Sequence, residues 1–280
     1  MSVVKRRCAL FPESLTRPSS PLGSYLLYSR RVISHHHRAI FVHIPKCGGQ
    51  SVETTFLSDL GLDWDNRDAL NLRKNPNSNV GPDRIAHLTL PEYLELHYVN
   101  PEQIEAYFVF TMVRDPVERL FSAYRYLGHA RVMTFDDFVT KRLPALLACD
   151  DAMVRPAYQY LGGPSYAEVI DAVFRLEDTG SLEVELTRRF GTGFSELPHV
   201  NSHHERTGTT WSKAARRGLR STLMLGRRHG KSGLTEAPRG NARRSNRDTS
   251  SNLTVSALET IIERYWGDFE RFGYPIPQPD

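Results

Sequence analysis

The sequence predicts an α/β fold, in which helices cover a mostly parallel sheet in a three-layer arrangement. Three short apolar runs, at 39–44, 107–113 and 169–176, each have the length of a buried strand. Segments with apolar residues at helical spacing follow these runs, and strand–helix units joined by crossovers build parallel sheets. The 280 residues are enough for one large domain of this class.

The first strand–helix unit opens the predicted domain. Its strand ends at Pro45, and a helix follows over 51–60. Apolar side chains in that helix fall at helical spacing, and Gly61 is a typical stop signal. The next residues, 62–84, are rich in Asp and Asn and predict a loop, whereas 84–90 predict a short strand.

The second unit joins the run at 107–113 to a helix that begins at Pro116 and ends before Gly128. Proline suits the first position of a helix, and Asp115 is suited to cap this one. Glu118, three residues after Asp115, completes the Asp-x-x-Glu form of a capping box. The sequence therefore predicts a sharp strand-to-helix junction here.

The remaining elements are helical apart from the third strand at 169–176. Helices are predicted over 135–147, 152–161 and 182–190. A final helix covers 255–272, where apolar residues alternate at spacings of three and four and form a single stripe.

Charge and composition divide the chain into a leader, a domain and an insertion. Residues 1–38 contain Pro and Ser, carry a net charge of +6 and predict a flexible basic leader. Residues 39–280 form the domain, and within it 207–250 carry +9 and predict a flexible basic insertion. Because the whole chain carries only +4, the rest is acidic, and no basic nucleic-acid-binding face is indicated.

Composition also excludes several classes of protein. No apolar run approaches the roughly 18 residues that a membrane span needs, and the leader lacks the apolar core of a secretory signal. The three cysteines, Cys8, Cys47 and Cys149, are far apart, which is the pattern of neither a disulfide framework nor a zinc site. We therefore predict a protein of a reducing compartment, without a membrane segment and without a metal.

The loop after the first strand has the composition of an anion site. Lys46 brings a positive charge, Ser51 brings a hydroxyl, and Gly48 and Gly49 allow close approach of the backbone. The following helix N-terminus offers N–H groups and a favourable dipole. The alternative is an ordinary tight turn with a surface lysine.

The order of residues in this loop excludes a nucleoside-triphosphate P-loop. That motif places its lysine after the glycines and directly before Ser or Thr, whereas Lys46 precedes both glycines. No apolar strand ends in an acid suited to hold magnesium. The loop thus predicts a phosphate-type anion bound without the usual metal.

A second group of residues follows the second strand. Arg114 stands at its carboxyl end, where open α/β sheets bind ligands, and Ser122 lies two turns into the next helix. Both could reach an anion above the start of that helix. The alternatives are an ion pair between Arg114 and Glu118 and a solvated position for Ser122.

Together the two motifs resemble those of the sulfotransferases that use 3′-phosphoadenosine 5′-phosphosulfate (PAPS), in particular the heparan sulfate 2-O- and chondroitin-type carbohydrate branch. The segment FVHIPKCGGQS resembles their 5′-phosphosulfate loop, and VRDPVERLFSAY resembles their 3′-phosphate motif. The resemblance covers about 39–206 and 252–274. It implies a P-loop-NTPase-like sulfotransferase fold with a mostly parallel central sheet.

The resemblance also implies roles for individual residues. Lys46 would contact the 5′-phosphosulfate and stabilise the leaving oxygen, and Arg114 with Ser122 would hold the 3′-phosphate. The phosphosulfate would further be lined by Cys47, Gly48, Gly49, Gln50 and Ser51. Cys47 replaces the usual threonine, so that either it contributes only its backbone N–H or donor affinity is lower.

Direct sulfuryl transfer needs a base for the acceptor hydroxyl, and histidine has a suitable pKa. His87 matches the position at which the relatives carry their catalytic histidine. His43 is the main competitor, and Glu92 or Glu95 could orient His87 or act as base themselves. The histidine run at 35–37 is assigned to a solvated leader rather than to a metal site.

The leading hypothesis is thus an O-sulfotransferase that moves the sulfuryl group from PAPS to a carbohydrate or other hydroxyl and releases PAP (3′-phosphoadenosine 5′-phosphate). The alternatives are a non-catalytic PAP- or PAPS-binding protein and, with less support, a small-molecule kinase. The insertion is either a simple loop or a basic arm that collects an anionic acceptor. With no membrane anchor in the sequence, we expect a bacterial-type cytoplasmic enzyme rather than a Golgi one.

Overall fold

A computed structural model describes residues 33–63, 65, 66, 70, 87–198 and 253–278. Most of the predicted leader, most of the loop at 62–84 and the whole insertion at 207–250 lie outside these residues. The chain divides into two compact units. The first comprises Met1–Val113 and Ala157–Pro198, and the second comprises Arg114–Pro156 and His199–Asp280.

The first unit is built on a four-stranded sheet whose strands lie in the order β1-β2-β3-β4. Its strands are β1 (Ile33–Ser34), β2 (Ala39–Val42), β3 (Phe108–Val113) and β4 (Ala172–Arg175). β1 is antiparallel to β2, whereas β2, β3 and β4 are parallel to one another. The predictions of an α/β class, of a mostly parallel sheet and of its three main strands are confirmed.

Burial explains why these strands could be recognised. Every residue of β2 and β3 is buried, as is typical of parallel strands covered on both faces. In β4, half-buried and exposed residues alternate, and Val173 is 43% exposed. Within the described sheet, β4 therefore has the pattern of an edge strand.

In its described residues the first unit has five α-helices, and local capping accounts for two that the sequence did not predict. They are α1 (Gly49–Asp59), α2 (Leu90–Glu95), α3 (Pro101–Ala106), α7 (Ala157–Tyr160) and α8 (Thr179–Phe190). Thr89 and Glu92 form a capping box at the start of α2, as Asn100 and Gln103 do for α3. The short strand predicted over 84–90 is wrong in its described part, because this capping box directs Leu90 into a helix.

The histidine run shows that the sheet begins earlier than the sequence suggested. Residues 33–38, assigned to the leader, form β1 and the turn into β2. The His37 ring packs edge-on against Phe56, Phe190 and Phe194 at centroid distances of 5.1–5.4 Å. Its Nε2 lies 2.8 Å from Asp59 Oδ2. His37 is thus part of the aromatic core of this unit and not of a solvated segment.

The second unit is helical in its described residues. It contains α4 (Pro116–Tyr126), α5 (Phe135–Asp137), a π-helical turn (Phe138–Arg142), α6 (Leu143–Ala148) and α9 (Val255–Phe272). The helices predicted from Pro116, over 135–147 and over 255–272 are confirmed, the second as three consecutive segments. The helix predicted over 152–161 is wrong except for Ala157–Tyr160 in the first unit.

A buried ion pair fixes α9 within the second unit. Arg119 of α4 and Asp268 of α9 are each 1% exposed, and Arg119 Nη1 lies 3.8 Å from Asp268 Oδ2. Arg119 Nη2 also donates to the backbone carbonyl of Arg155. Tyr265, where the backbone of α9 departs from helical geometry, donates its hydroxyl to the Val154 carbonyl at 2.6 Å. These polar contacts hold the helix in one register.

Candidate active site

The loop between β2 and α1 is a tight turn with two residues in the left-handed region. Lys46 has φ +72° and Gly48 has φ +80°. The Cys47 N–H donates to the Ile44 carbonyl at 3.4 Å, and the Ser51 N–H donates to the Gly48 carbonyl at 3.0 Å. The chain thus passes from strand to helix within a few residues and leaves the Lys46 side chain half-buried at the junction.

The N-terminus of α1 has no side-chain cap from its cap residue, Gly48, and no acid in its first turn. An α-helix of 11 residues leaves several N–H groups without helical partners at such an end, and its dipole favours an anion there. This end of α1 therefore has the properties of an anion site.

The two glycines of the loop have packing reasons that the sequence did not indicate. A Cβ on Gly48 would lie 2.6 Å from Leu176 Cδ1, in addition to the unfavourable positive φ. A Cβ on Gly49 would lie 2.7 Å from both Cδ2 and Nε2 of the His43 ring. Gly49 is therefore required because the imidazole of His43 lies against the first turn of α1.

That imidazole belongs to a cluster of three titratable side chains. His43 and Glu53 are 6% and 4% exposed, and His43 Nδ1 is hydrogen-bonded to Glu53 Oε1. The ring of His87 stands edge-on to that of His43, with centroids 5.0 Å apart and an interplanar angle of 88°. His87 itself is half-buried. The predicted base and its competitor are therefore neighbours, and Glu53 is joined to them.

The second predicted anion motif lies at the start of the second unit. Arg114 directly follows β3, and its Nη2 donates to Glu118 Oε2 at 3.1 Å. The Asp115 carboxylate caps α4 by accepting from the Glu118 N–H at 3.0 Å. Ser122 is a half-buried residue of α4. The ion pair considered for Arg114 is thus present, and it engages one of the five N–H donors of the guanidinium.

Comparison with protein families identifies the chain. A family model described as "Sulfotransferase family" matches residues 29–275, which is most of the sequence. The chain belongs to the sulfotransferase family. In the comparisons with curated proteins and with solved structures, no protein matches at a significant level.

Family membership confirms the resemblance at its general level. The protein is a sulfotransferase and hence a transferase that moves a sulfuryl group. None of the described helices has the length and apolar character to cross a membrane. Among the same residues, no group of three or more His, Cys, Asp or Glu side chains is arranged to hold a metal ion.

Cys47 of this sulfotransferase turns its side chain into the protein. The residue is fully buried, and its Sγ lies 3.9 Å from the Pro45 carbonyl. Its backbone N–H is directed to the Ile44 carbonyl. The Cys47 thiol is thus packed inside the protein. By contrast, three other residues predicted to line the phosphosulfate, Lys46, Gln50 and Ser51, are half-buried.

The acids that the sequence placed beside His87 have other environments. Glu92 Oε2 accepts from the Thr89 N–H at 2.6 Å as part of the capping box of α2. Glu95 is exposed at the end of that helix. The carboxylate next to the histidines is Glu53, which the sequence analysis missed. The signal was its position between Val52 and Phe56 on the buried side of α1, where an unpaired acid is costly.

The Gly49 contact gives the first testable prediction. Gly49→Ala is expected to lower the free energy of unfolding by about 1–3 kcal/mol, because the new methyl group overpacks the His43 ring. Urea denaturation measures this effect. Gly180→Ala in helix α8 is the matched control. The new Cβ would lie 3.7 Å from Asp178 Oδ1, an ordinary contact distance, so this substitution should be neutral or stabilising. Equal effects of both substitutions would contradict the His43 contact.

Proposed function

We propose that this sulfotransferase transfers the sulfuryl group of PAPS to a hydroxyl of a carbohydrate acceptor and releases PAP. The observation that carries the proposal is the uncapped N-terminus of α1, with Lys46 before it and the pair His43 and His87 beside it. This arrangement combines an anion site with a candidate base. The PAPS donor and the carbohydrate acceptor follow from the resemblance of the two motifs, as does a P-loop-NTPase-like three-layer arrangement.

The donor is assigned motif by motif. The first-turn N–H groups of α1, with Lys46, Gln50 and Ser51, take the 5′-phosphosulfate. Arg114 and Ser122 take the 3′-phosphate, which distinguishes PAPS from other adenine nucleotides. A guanidinium can hold phosphate while it keeps a contact with a carboxylate such as that of Glu118, because its donors form a planar fork.

The reaction is a direct displacement at sulfur. The bond from the acceptor oxygen to sulfur forms as the bond from sulfur to the donor phosphate oxygen breaks, and the acceptor proton passes to His87. The ammonium of Lys46 stabilises the negative charge that develops on the leaving oxygen. The protein contributes mainly position and charge, as in phosphoryl transfer.

Incubation with 35S-labelled PAPS and a panel of neutral and acidic glycans tests this function. We expect labelled product and equimolar PAP, and discrimination against adenosine 5′-phosphosulfate, which lacks the 3′-phosphate. In Arg114→Ala, the preference for PAP over AMP in calorimetry should fall about 10- to 100-fold, since a charge-assisted contact is lost.

Two outcomes, one in this assay and one in a parallel assay with ATP and magnesium, would overturn the proposal. Tight binding of PAP with no transfer to any hydroxyl acceptor would identify a non-catalytic binding protein. Magnesium-dependent transfer of phosphate from ATP to an acceptor would identify a kinase instead. An equal affinity of the wild-type protein for PAP and AMP would remove the 3′-phosphate assignment.

A further inference from the structure

We propose that Glu53 and His43 form a positioning dyad, which orients the His87 ring and stabilises its protonated form during transfer. The inference rests on the proposed function, because it assigns His87 as the group that takes the acceptor proton. It concerns two residues that lie behind the anion loop. The dyad is defined here as the hydrogen-bonded side chains of Glu53 and His43.

Burial of the dyad indicates that it acts through another group. At 6% and 4% exposure, His43 and Glu53 are shielded from solvent, and an acceptor hydroxyl could not reach them without displacing the loop. His87 is more accessible, since it is half-buried. The base is therefore His87, and the residues that contact it from inside are candidates for positioning.

The carboxylate of Glu53 determines the tautomer of His43. An ionised carboxylate only accepts hydrogen bonds, so the bond to Nδ1 requires that Nδ1 carry the proton. Neutral His43 then presents Nε2 as an acceptor, on the ring edge that lies against Gly49. A carboxylate that fixes a histidine in this way is the general device by which proteins orient an imidazole.

The position of the His43 ring also restricts the orientation of the His87 ring. The His43 ring is confined between the first turn of α1, where Gly49 leaves no room for movement, and the edge-on ring of His87. A perpendicular contact at 5.0 Å restricts the orientation of His87. An ionised Glu53 hydrogen-bonded to a neutral His43 gives the dyad a negative charge, which favours a positive charge on the neighbouring His87 ring.

Two other charged side chains, Lys46 and Glu92, are candidates for the same contribution. Lys46, in the loop after His43, is a cation and cannot supply negative charge. Glu92, on the helix that follows His87, directs its carboxylate to the Thr89 N–H. Among the described residues, Glu53 on α1 is an acid that is hydrogen-bonded to this histidine pair through His43.

The test removes the charge of the Glu53 side chain while keeping its shape. In Glu53→Gln, we expect kcat to fall about 10- to 100-fold, as for other groups that orient an imidazole, with the Kd for PAP within about threefold of wild type. The pKa of His87, followed by NMR titration of its imidazole in the donor-free protein, should fall by about one unit. Glu105→Gln, at an exposed acid of α3, is the matched control and should change neither quantity.

A second measurement needs no variant and decides the matter if Glu53→Gln does not fold. In the wild-type protein, 15N spectra should show His43 protonated at Nδ1, and an Nε2-protonated tautomer would overturn the dyad. A Glu53→Gln protein that loses stability but keeps the wild-type kcat and His87 titration would also overturn it.

Failure of the proposed function would look different from failure of the dyad. If the wild-type protein transferred no sulfuryl group from PAPS, the proposed function would fall, whereas the NMR comparison would still show whether Glu53 controls His87. If transfer occurred and His87 titrated identically in wild type and Glu53→Gln, only the dyad would fall.

Discussion

Lys46→Met is expected to reduce kcat for sulfuryl transfer about 100- to 1000-fold, because the leaving oxygen loses the cation that we propose stabilises its developing charge. Methionine retains most of the aliphatic stem, so packing of the half-buried side chain at the loop is largely kept. The measurement is single-turnover transfer from labelled PAPS at saturating donor. Lys141→Met is the matched control, since Lys141 is 73% exposed and pairs with Asp137 on the surface.

Comparison with His87→Ala separates the two roles at the site. His87→Ala should lose turnover to a similar extent and still bind PAP, because the role proposed for the histidine concerns the acceptor proton. Lys46→Met should also weaken the binding of PAP, because in the proposed site the Lys46 ammonium contacts the 5′-phosphate of the product as well as that of the donor. A near-wild-type rate in His87→Ala would exclude His87 as the base, and an unchanged rate in Lys46→Met would remove the assigned role of the loop lysine.

Asp268→Leu is expected to lower the free energy of unfolding by about 3–5 kcal/mol, the largest stability effect that the structure predicts. The substitution leaves the guanidinium of Arg119, at 1% exposure, without its carboxylate partner in the interior of the second unit. Urea denaturation, followed by circular dichroism, measures the loss. The double variant Arg119→Met with Asp268→Leu should recover much of it, because the buried charge is then removed as well.

A surface ion pair provides the control for this comparison. Glu185 on α8 accepts hydrogen bonds from Arg188 and Arg189, and the Arg188 contact lowers the pKa of its carboxyl from 4.5 to about 2. Its contribution is present above pH 4.5 and is lost as the pH falls toward 2. At pH 7, Glu185→Gln should cost only about 0.2–1 kcal/mol. A loss in Asp268→Leu no larger than this would contradict the importance of the buried pair.

The elements that the sequence predicted correctly are those with an unambiguous local signal. β2 and β3 are continuous apolar runs of strand length, and both are buried throughout. The start of α4 combines Asp115 with Pro116, and α9 carries one apolar stripe over 18 residues. In each case the pattern that identifies the element is also the pattern that stabilises it.

The errors have a physical cause in common. α2 and α3 have six residues each, too few for a periodic stripe, so that their capping boxes provide the main signal. The stretch 152–161 was predicted to be one helix, but the chain forms helix only over Ala157–Tyr160. Short segments are decided by capping and tertiary packing, which periodicity does not report.

Part of the candidate site was predictable because its residues also have an unambiguous local signal in the sequence. Lys46, the glycines and Arg114 are contiguous with strand ends, and a strand–loop–helix pattern places such residues directly. The partnership of Glu53 with His43 depends on the direction in which the imidazole points, and that direction is fixed by the contacts of the ring with Glu53 and with Gly49 in the first turn of α1. No spacing rule specifies it.

The backbone conformation of Lys46 has a consequence for attempts to engineer this enzyme. A residue with a side chain at φ +72° costs about 1 kcal/mol relative to glycine. Lysine thus occupies position 46 although its backbone conformation favours glycine. Replacement by glycine is the change that a search for heat-resistant variants would favour, and it would delete the charge that we propose stabilises the leaving oxygen. Thermal stability and turnover are therefore expected to make opposite demands on this residue. Position 46 should be excluded from mutagenesis when variants are selected for thermal tolerance.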